Sequence, residues 1–247
     1  MKTQLLSAII LLGLISCGEG KNVEDIEKEF KVENTVNENN ISTNSEQTTE
    51  DLGKVINYEA GTFEFFEDYG ALSTKTALYG MFGKENLVDG ISYYAEGTVE
   101  FQHTILTDPV NGNVYKYVWN ESDNETLNFI EANLFIWDEN YEITDVQLIQ
   151  SRSGVYTGMT LQELYEWNNS QDFTFYGFGW DYEGNIAVEK GSVMASSGVD
   201  IKLALENYSG ENINSLLGDV ELSTKDEGIF DAPIVVDQLS YYGTIEL

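Results

Sequence analysis

Two carboxylates alternate with two aromatic rings in the run Trp180, Asp181, Tyr182 and Glu183. A pair of carboxyl groups flanking a glycosidic bond can hydrolyse it, one as general acid and the other as base or nucleophile. Aromatic rings beside such groups offer an apolar face next to hydrogen-bond acceptors, which is typical of ligand sites. The four residues are therefore candidate binding residues. The alternative is a strand end whose acids face water and whose aromatic rings fill the core.

Other catalytic chemistry has little support in the residue types. His103 is the single histidine, so a multi-histidine metal site is excluded and a histidine-dependent catalytic triad would rest on His103 alone. It falls within a strand-like alternation, where an ordinary hydrogen-bonded partner is expected. No phosphate-binding glycine loop, zinc-protease motif or nucleophile elbow occurs in the sequence. The runs 108–113 and 181–185 cluster oxygen ligands without the spacing of a calcium-binding EF-hand loop. We assign no catalytic residue, no metal and no cofactor, and favour a protein that is not an enzyme.

The single cysteine, Cys17, follows an apolar segment near the N-terminus. A basic start precedes the largely apolar residues 5–15, a run shorter than the roughly 20 residues of a membrane-spanning helix. The segment ends in Leu-Ile-Ser-Cys and resembles the lipobox of bacterial lipoproteins. That resemblance implies a signal peptide over 1–16, cleavage before Cys17, and acyl chains of the palmitate type on its thiol and amine. The alternative is an ordinary signal peptide with a chance cysteine.

Acyl chains on Cys17 would anchor the protein to a membrane, because each buried methylene contributes about 0.8 kcal/mol. We therefore expect a membrane-anchored lipoprotein of the bacterial cell envelope, with the outer membrane as the favoured location. Residues 17–52 are rich in Asn, Glu, Thr and Ser and nearly free of aromatics, which predicts a lipidated, disordered acidic tether.

The whole chain is strongly acidic. It has 43 acidic and 12 basic residues among 247, and its formal net charge is −31. Such a charge repels phosphate backbones, so we expect no nucleic-acid partner.

Residues 53–247 contain nearly all the aromatic residues and are predicted to form the globular body. Thr160 and Glu163 have the spacing of a capping box, which predicts a helix after Thr160. The Asn111-Gly112 pair predicts a hairpin turn. The body is therefore predicted as α+β, mainly antiparallel sheet with short helices. Strands are expected at 97–106, 114–119, 143–149, 173–180, 185–189, 201–206 and 238–245.

A second helix start is predicted at Thr74. The segments 74–83 and 160–169 both read Thr-x-x-x-Leu-Tyr and then reach residues that stop a helix. One interpretation is two tandem helix-plus-meander repeats, at about 70–150 and 155–247. Chance similarity over so few residues is the other.

Two motifs in the body resemble a known family. The run 153–168 contains Gly-Met-Thr-Leu-Gln-Glu-Leu, and the run 173–182 contains Gly-Phe-Gly-Trp-Asp-Tyr. These are similar to segments of a family of uncharacterised lipoproteins of Gram-negative bacteria. The helix start is also similar, more distantly, to small outer-membrane-assembly lipoproteins and to tandem-repeat inhibitors of β-lactamases, which build helix-plus-antiparallel-sheet units. The resemblance implies a fold and a location but no activity.

These expectations favour a lipid-anchored envelope protein with a non-catalytic binding or accessory body. Its ligand would be an envelope protein, a cell-wall fragment or another glycan. The alternative is a glycoside hydrolase that acts on envelope polysaccharide through carboxylates near 180–183.

Overall fold

The computed structural model of the protein describes residues 62–95, 97–180, 182–207 and 213–243. The predicted signal peptide, the predicted lipidation site Cys17, the predicted tether (17–52) and Asp181 lie outside the described residues. All described residues belong to one unit, Thr48–Leu247. Within them, no helix is both long and apolar enough to cross a bilayer.

Short helices and longer strands alternate along the described chain. The α-helices are α1 (Phe66–Gly70), α2 (Lys75–Phe82), α3 (Leu161–Trp167) and α4 (Val193–Ser196), with 3₁₀ turns at Lys84–Asn86, Ile213–Leu216 and Ile229–Asp231. The strands are β1 (Leu87–Tyr94), β2 (Val99–Thr107), β3 (Val114–Trp119), β4 (Leu127–Asn133), β5 (Phe135–Trp137), β6 (Ile143–Val146), β7 (Thr174–Tyr176), β8 (Ile186–Ala187), β9 (Asp200–Leu205), β10 (Glu221–Ser223) and β11 (Ile234–Tyr241).

The strands form one large sheet and two small ones. The large sheet has six strands in the order β1-β2-β3-β4-β11-β9, and every neighbouring pair is antiparallel. A three-stranded sheet has the order β10-β7-β8, and β5 pairs with β6 in a hairpin. The predicted α+β class dominated by antiparallel sheet is therefore confirmed.

The core lies between the large sheet and the helices. Alternation on β3 buries Tyr115 and Tyr117 on the face towards the helices. The helices contribute Phe66 and Tyr69 from α1, Leu78 and Phe82 from α2, and Leu161 and Leu164 from α3. Each buried side chain of this size contributes about 1.5–3 kcal/mol, so the packing fixes the helices on one face of the sheet.

Both predicted helix starts are confirmed, and threonine caps each of them. The Thr160 hydroxyl accepts from the Glu163 N–H at 3.2 Å, and the Glu163 carboxylate accepts from the Thr160 N–H at 2.9 Å. The Thr74 hydroxyl accepts from the Ala77 N–H at 3.1 Å. These bonds satisfy N–H groups that the first helical turn leaves unpaired.

The two intervals that share the Thr-x-x-x-Leu-Tyr pattern also have corresponding strand orders. After α2 the strands β1, β2, β3 and β4 form a meander. After α3 the order is β7, β8, β9 and β11, because an isolated bridge between Asn185 and Lys202 links β8 to β9. Each capping threonine forms an antiparallel bridge to the last strand region of its own set, Thr74 with Thr126 and Thr160 with Val235. The strand β10 has no counterpart in the first set.

The structure also shows where local turns override the predicted strand lengths. β3 fills the predicted interval 114–119, and the predicted hairpin turn at Asn111-Gly112 is confirmed, with Gly112 at φ +79°. In contrast, only Thr174–Tyr176 of the predicted strand 173–180 is extended. Gly179 has φ +86°, so the chain turns away from the sheet there.

Candidate functional site

Three aromatic side chains are exposed where β7 ends and in the loop that follows. Tyr176 is the last residue of β7, and Trp180 and Tyr182 follow it in the loop. We call these three residues together the aromatic loop; their exposed fractions are 44%, 61% and 60%. The rings of Tyr176 and Tyr182 lie 5.8 Å apart between centroids. The sequence-predicted residues Trp180 and Tyr182 are therefore on the surface and do not fill the core, while Asp181 lies outside the described residues.

The buried ring of Phe178 fixes the position of this loop. Phe178 is 1% exposed, and its ring lies 6.2 Å from that of Phe175. Its backbone N–H donates to the Leu216 carbonyl at 2.8 Å, and its carbonyl accepts from the Gly218 N–H at 2.9 Å. Gly177 permits this approach, because a Cβ there would lie 2.7 Å from the Gly218 carbonyl oxygen. The Phe178 side chain is therefore buried, while the aromatic side chains on either side of it in the sequence are exposed.

Glu183 closes the same loop from its other end. Its Oε2 accepts from the Gly179 N–H at 2.9 Å, and its Oε1 lies 3.6 Å from Lys202 Nζ. Its own N–H donates to the Trp180 carbonyl at 2.9 Å. The carboxylate of this predicted site residue thus holds the turn in shape, and its side chain is 39% exposed.

A second carboxyl group, that of Asp237, interacts electrostatically with Lys202 and Glu183. The sequence analysis did not identify this residue. The register of β11 against β9 shifts between Val236 and Gln238, so Asp237 occupies a bulge. Burial raises the pKa of Asp237 to about 6, against the lowering effects of Lys202 and of the backbone N–H groups of Phe135 and Leu134. Glu183 raises the pKa further.

We call Glu183, Lys202 and Asp237 the charged cluster. Within the described part of the chain, Oδ1 of Asp237 is buried and has no hydrogen-bond partner. A carboxyl group with a pKa near 6 beside a second carboxyl group is the combination that acid–base chemistry uses. It is also what a buried structural acid at a bulge produces, because desolvation alone favours the neutral form.

His103 has the ordinary partner that its strand position predicted. Its Nδ1 lies 2.8 Å from the Ser92 hydroxyl on the neighbouring strand, and Gly90 makes room for its ring. Burial, followed by the charge of Lys116, lowers the pKa of His103 below its usual value. The histidine is therefore neutral and paired near neutral pH.

The oxygen-rich turn at 108–113 uses its Asp108 carboxylate for hydrogen bonds within the fold. The Asp108 carboxylate accepts from the Tyr69 hydroxyl at 2.5 Å and from the Val110 N–H at 2.8 Å. These contacts tie the β2–β3 turn to α1. Across the described ranges, no three His, Cys, Asp or Glu side chains come together as a metal-binding group.

The β5–β6 hairpin exposes a further set of apolar side chains that the sequence analysis did not single out. Trp137 is 53% exposed, Tyr141 85% and Ile143 46%, and Trp137 pairs with Ile143 across the hairpin. The sequence feature that could have indicated this hairpin is the pair of aromatic residues that flanks the polar turn 138–140 between two apolar runs.

The described residues thus place an exposed aromatic loop beside Glu183, and the same glutamate belongs to a cluster with a perturbed acid. No other assignment comes from known proteins. Comparisons with protein-family models, with curated proteins and with solved structures give no match to this chain.

Proposed function

We propose that the chain is a lipid-anchored protein of the bacterial envelope whose body binds a cell-wall glycan without transforming it. The anchor rests on the lipobox resemblance at Cys17 and on the acidic composition of 17–52. The binding role rests on one observation in the body, which is the exposure of Trp180 and Tyr182 on a fixed loop.

Large exposed aromatic rings need an explanation, because burial of such rings would stabilise the fold. Exposed apolar groups framed by polar ones mark binding surfaces. The flat rings of Trp180 and Tyr182 suit the apolar face of a sugar ring, and the Tyr176 and Tyr182 hydroxyls add hydrogen-bonding groups. The acidic body disfavours anionic polymers, so a neutral glycan is the expected ligand.

The described residues on both sides of Asp181 are also held in place before any ligand arrives. Phe178 anchors the loop in the core, and the Glu183 carboxylate fixes the Gly179 turn. A surface already fixed in one conformation loses little conformational entropy on binding. This supports binding through the rings, with Glu183 as a positioning residue.

The test measures binding of the full chain to the hexamer of N-acetylglucosamine by calorimetry. Trp180→Ala is expected to weaken binding about tenfold or more, the scale of one well-packed aromatic contact. Trp137→Ala is the matched control, because Trp137 is similarly exposed at 53% but lies on the β5–β6 hairpin. Equal affinities for Trp180→Ala and the parent chain, or equal losses in both variants, would contradict the proposal.

A glycoside hydrolase is a second candidate, and the pKa of Asp237 near 6 is the observation that favours it. An acid with this pKa keeps a proton to donate to a leaving group under mildly acidic conditions. The test is release of reducing ends from the same hexamer. A hydrolase requires measurable release by the parent chain and a loss of at least about a hundredfold in Asp237→Asn. Binding without release would support the non-catalytic body.

A further inference from the structure

Among the described residues, the first strand of the large sheet has one unpaired edge. β1 is the terminal strand there and pairs only with β2. It is 8 residues long, and its register with β2 runs from Leu87 to Tyr94 without a bulge. An edge strand presents a row of unpaired backbone N–H and C=O groups that another extended chain can pair with.

β1 lacks the features that usually protect such an edge. It contains no proline or lysine, and Val88, Ile91 and Tyr93 are 65%, 50% and 63% exposed. At the far end of the three-stranded sheet, the edge strand β10 has only 3 residues and begins with a glutamate. Natural sheets blunt their edges with short strands, charges, prolines or bulges, and β1 has a single charged residue.

That single charge, Asp89, does not guard the edge because it is bound within the fold. Its carboxylate accepts from the Thr104 hydroxyl at 2.6 Å and from the Tyr79 hydroxyl at 2.9 Å, and it lies 3.1 Å from Lys75 Nζ. The Thr104 and Tyr79 bonds lower the pKa of Asp89, although burial opposes them. The carboxylate thus joins α2 to the sheet, while its side chain remains 49% exposed.

We propose that β1 binds an extended, basic segment of a protein partner by β-strand addition. Backbone hydrogen bonds would supply affinity, and alternate apolar side chains of the added strand would contact Ile91 and Tyr93, which share one face of β1, while Val88 lies on the other face. Apart from the bound Asp89, the segment 84–100 has three acids and one lysine, so its charge favours a cationic strand. The net charge of −31 on each chain opposes pairing of β1 with a second copy.

The experiment maps hydrogen exchange in the full chain with and without peptide probes. The first probe alternates valine and lysine over the 8-residue length of β1. A second probe has the same side chains but carries an N-methyl group on every backbone amide nitrogen, which removes its backbone hydrogen-bond donors along both edges without changing its charge. A third replaces lysine by glutamate. The first probe is expected to slow exchange within 87–94 about tenfold, and the other two are expected to leave it unchanged.

The variants localise the effect to the edge. Ile91→Lys places a like charge against the probe and is expected to weaken its binding about tenfold. Val110→Lys is the matched control, because Val110 is 57% exposed but lies in the β2–β3 turn, and little change is expected.

Three results would overturn the proposal. Protection of 87–94 by the N-methylated probe would show that charge alone brings the peptide to the surface. Protection of 87–94 by the glutamate probe would remove the preference for a basic partner. Concentration-dependent self-association of the chain, lost in Ile91→Lys, would assign the edge to a second copy. None of these outcomes bears on glycan binding at the aromatic loop, so the two proposals fail separately.

Discussion

Replacing Asp237 by asparagine is expected to stabilise the protein at neutral pH. Burial raises the pKa of this carboxyl from 3.8 to about 6, so the folded protein disfavours its ionised form. Asparagine has nearly the same shape and stays neutral at every pH, and its side-chain oxygen can still accept from the backbone N–H groups of Leu134 and Phe135. The variant therefore keeps the neutral form that the site prefers.

The size of the expected stabilisation in Asp237→Asn, and its dependence on pH, follow from proton linkage. Because the pKa is higher in the folded protein than in the unfolded one, the folded protein binds the extra proton between about pH 4 and pH 6. Stability contributed by this group is present below pH 4 and is lost as the pH rises through 6. A difference of about two pKa units corresponds to about 3 kcal/mol at pH 7.5, about 1.5 kcal/mol at pH 5 and about 0.5 kcal/mol at pH 4.

Urea unfolding of the parent chain and of Asp237→Asn at pH 4, 5, 6 and 7.5 measures the difference between their free energies of unfolding directly. Titrating groups that do not interact with Asp237 act equally on both proteins, so the difference between them reports Asp237 together with its coupled neighbours Lys202 and Glu183. Glu139→Gln removes the same charge from an exposed side chain and is expected to change the free energy of unfolding by less than about 0.5 kcal/mol. If this difference in the free energy of unfolding is absent at pH 7.5, or does not decrease towards pH 4, the argument that burial raises the pKa of Asp237 is refuted.

The remaining predictions concern the anchor and the helix that begins after Thr160. Cys17→Ala is expected to abolish incorporation of labelled palmitate and to release the protein from membranes, and labelling that persists in the variant would disprove the anchor. Thr160→Ala removes the hydroxyl that accepts from the Glu163 N–H, so it is expected to lower the free energy of unfolding by about 0.5–2 kcal/mol. The denaturation midpoint reports this loss, and an unchanged midpoint would show that the cap contributes nothing to stability.

Local signals explain which elements could be predicted. β3 alternates over residues 114–117, where Tyr115 and Tyr117 are buried, and α3 begins with a complete capping box, so both follow from neighbouring residues alone. β4 could not be predicted in this way, because the consecutive residues from Phe129 to Ala132 are all buried, which removes the alternation. β1 could not be predicted because Asp89 and Gly90 interrupt its pattern, and only its pairing with β2 reveals it as a strand.

The candidate site was predictable in part for the same reason. Trp180, Tyr182 and Glu183 are neighbours in sequence, and their composition alone marked them. Asp237 comes from a distant strand, and only the bulge on β11 and the pairing of β11 with β9 bring it into range of Lys202. No local pattern in the sequence carries that information.

The double role of Glu183 decides which variant separates binding from hydrolysis. Its carboxylate fixes the Gly179 turn through Oε2 and faces Lys202 through Oε1, so its removal disturbs the aromatic loop and the charged cluster together. A loss of activity in Glu183→Gln would therefore follow from either function. Asp237 lies outside the aromatic loop and interacts with backbone groups of Leu134 and Phe135 as well as with the charges of Lys202 and Glu183. Because Asp237→Asn is expected to be more stable than the parent chain, a loss of glycan cleavage in that variant would reflect the missing acid and not unfolding.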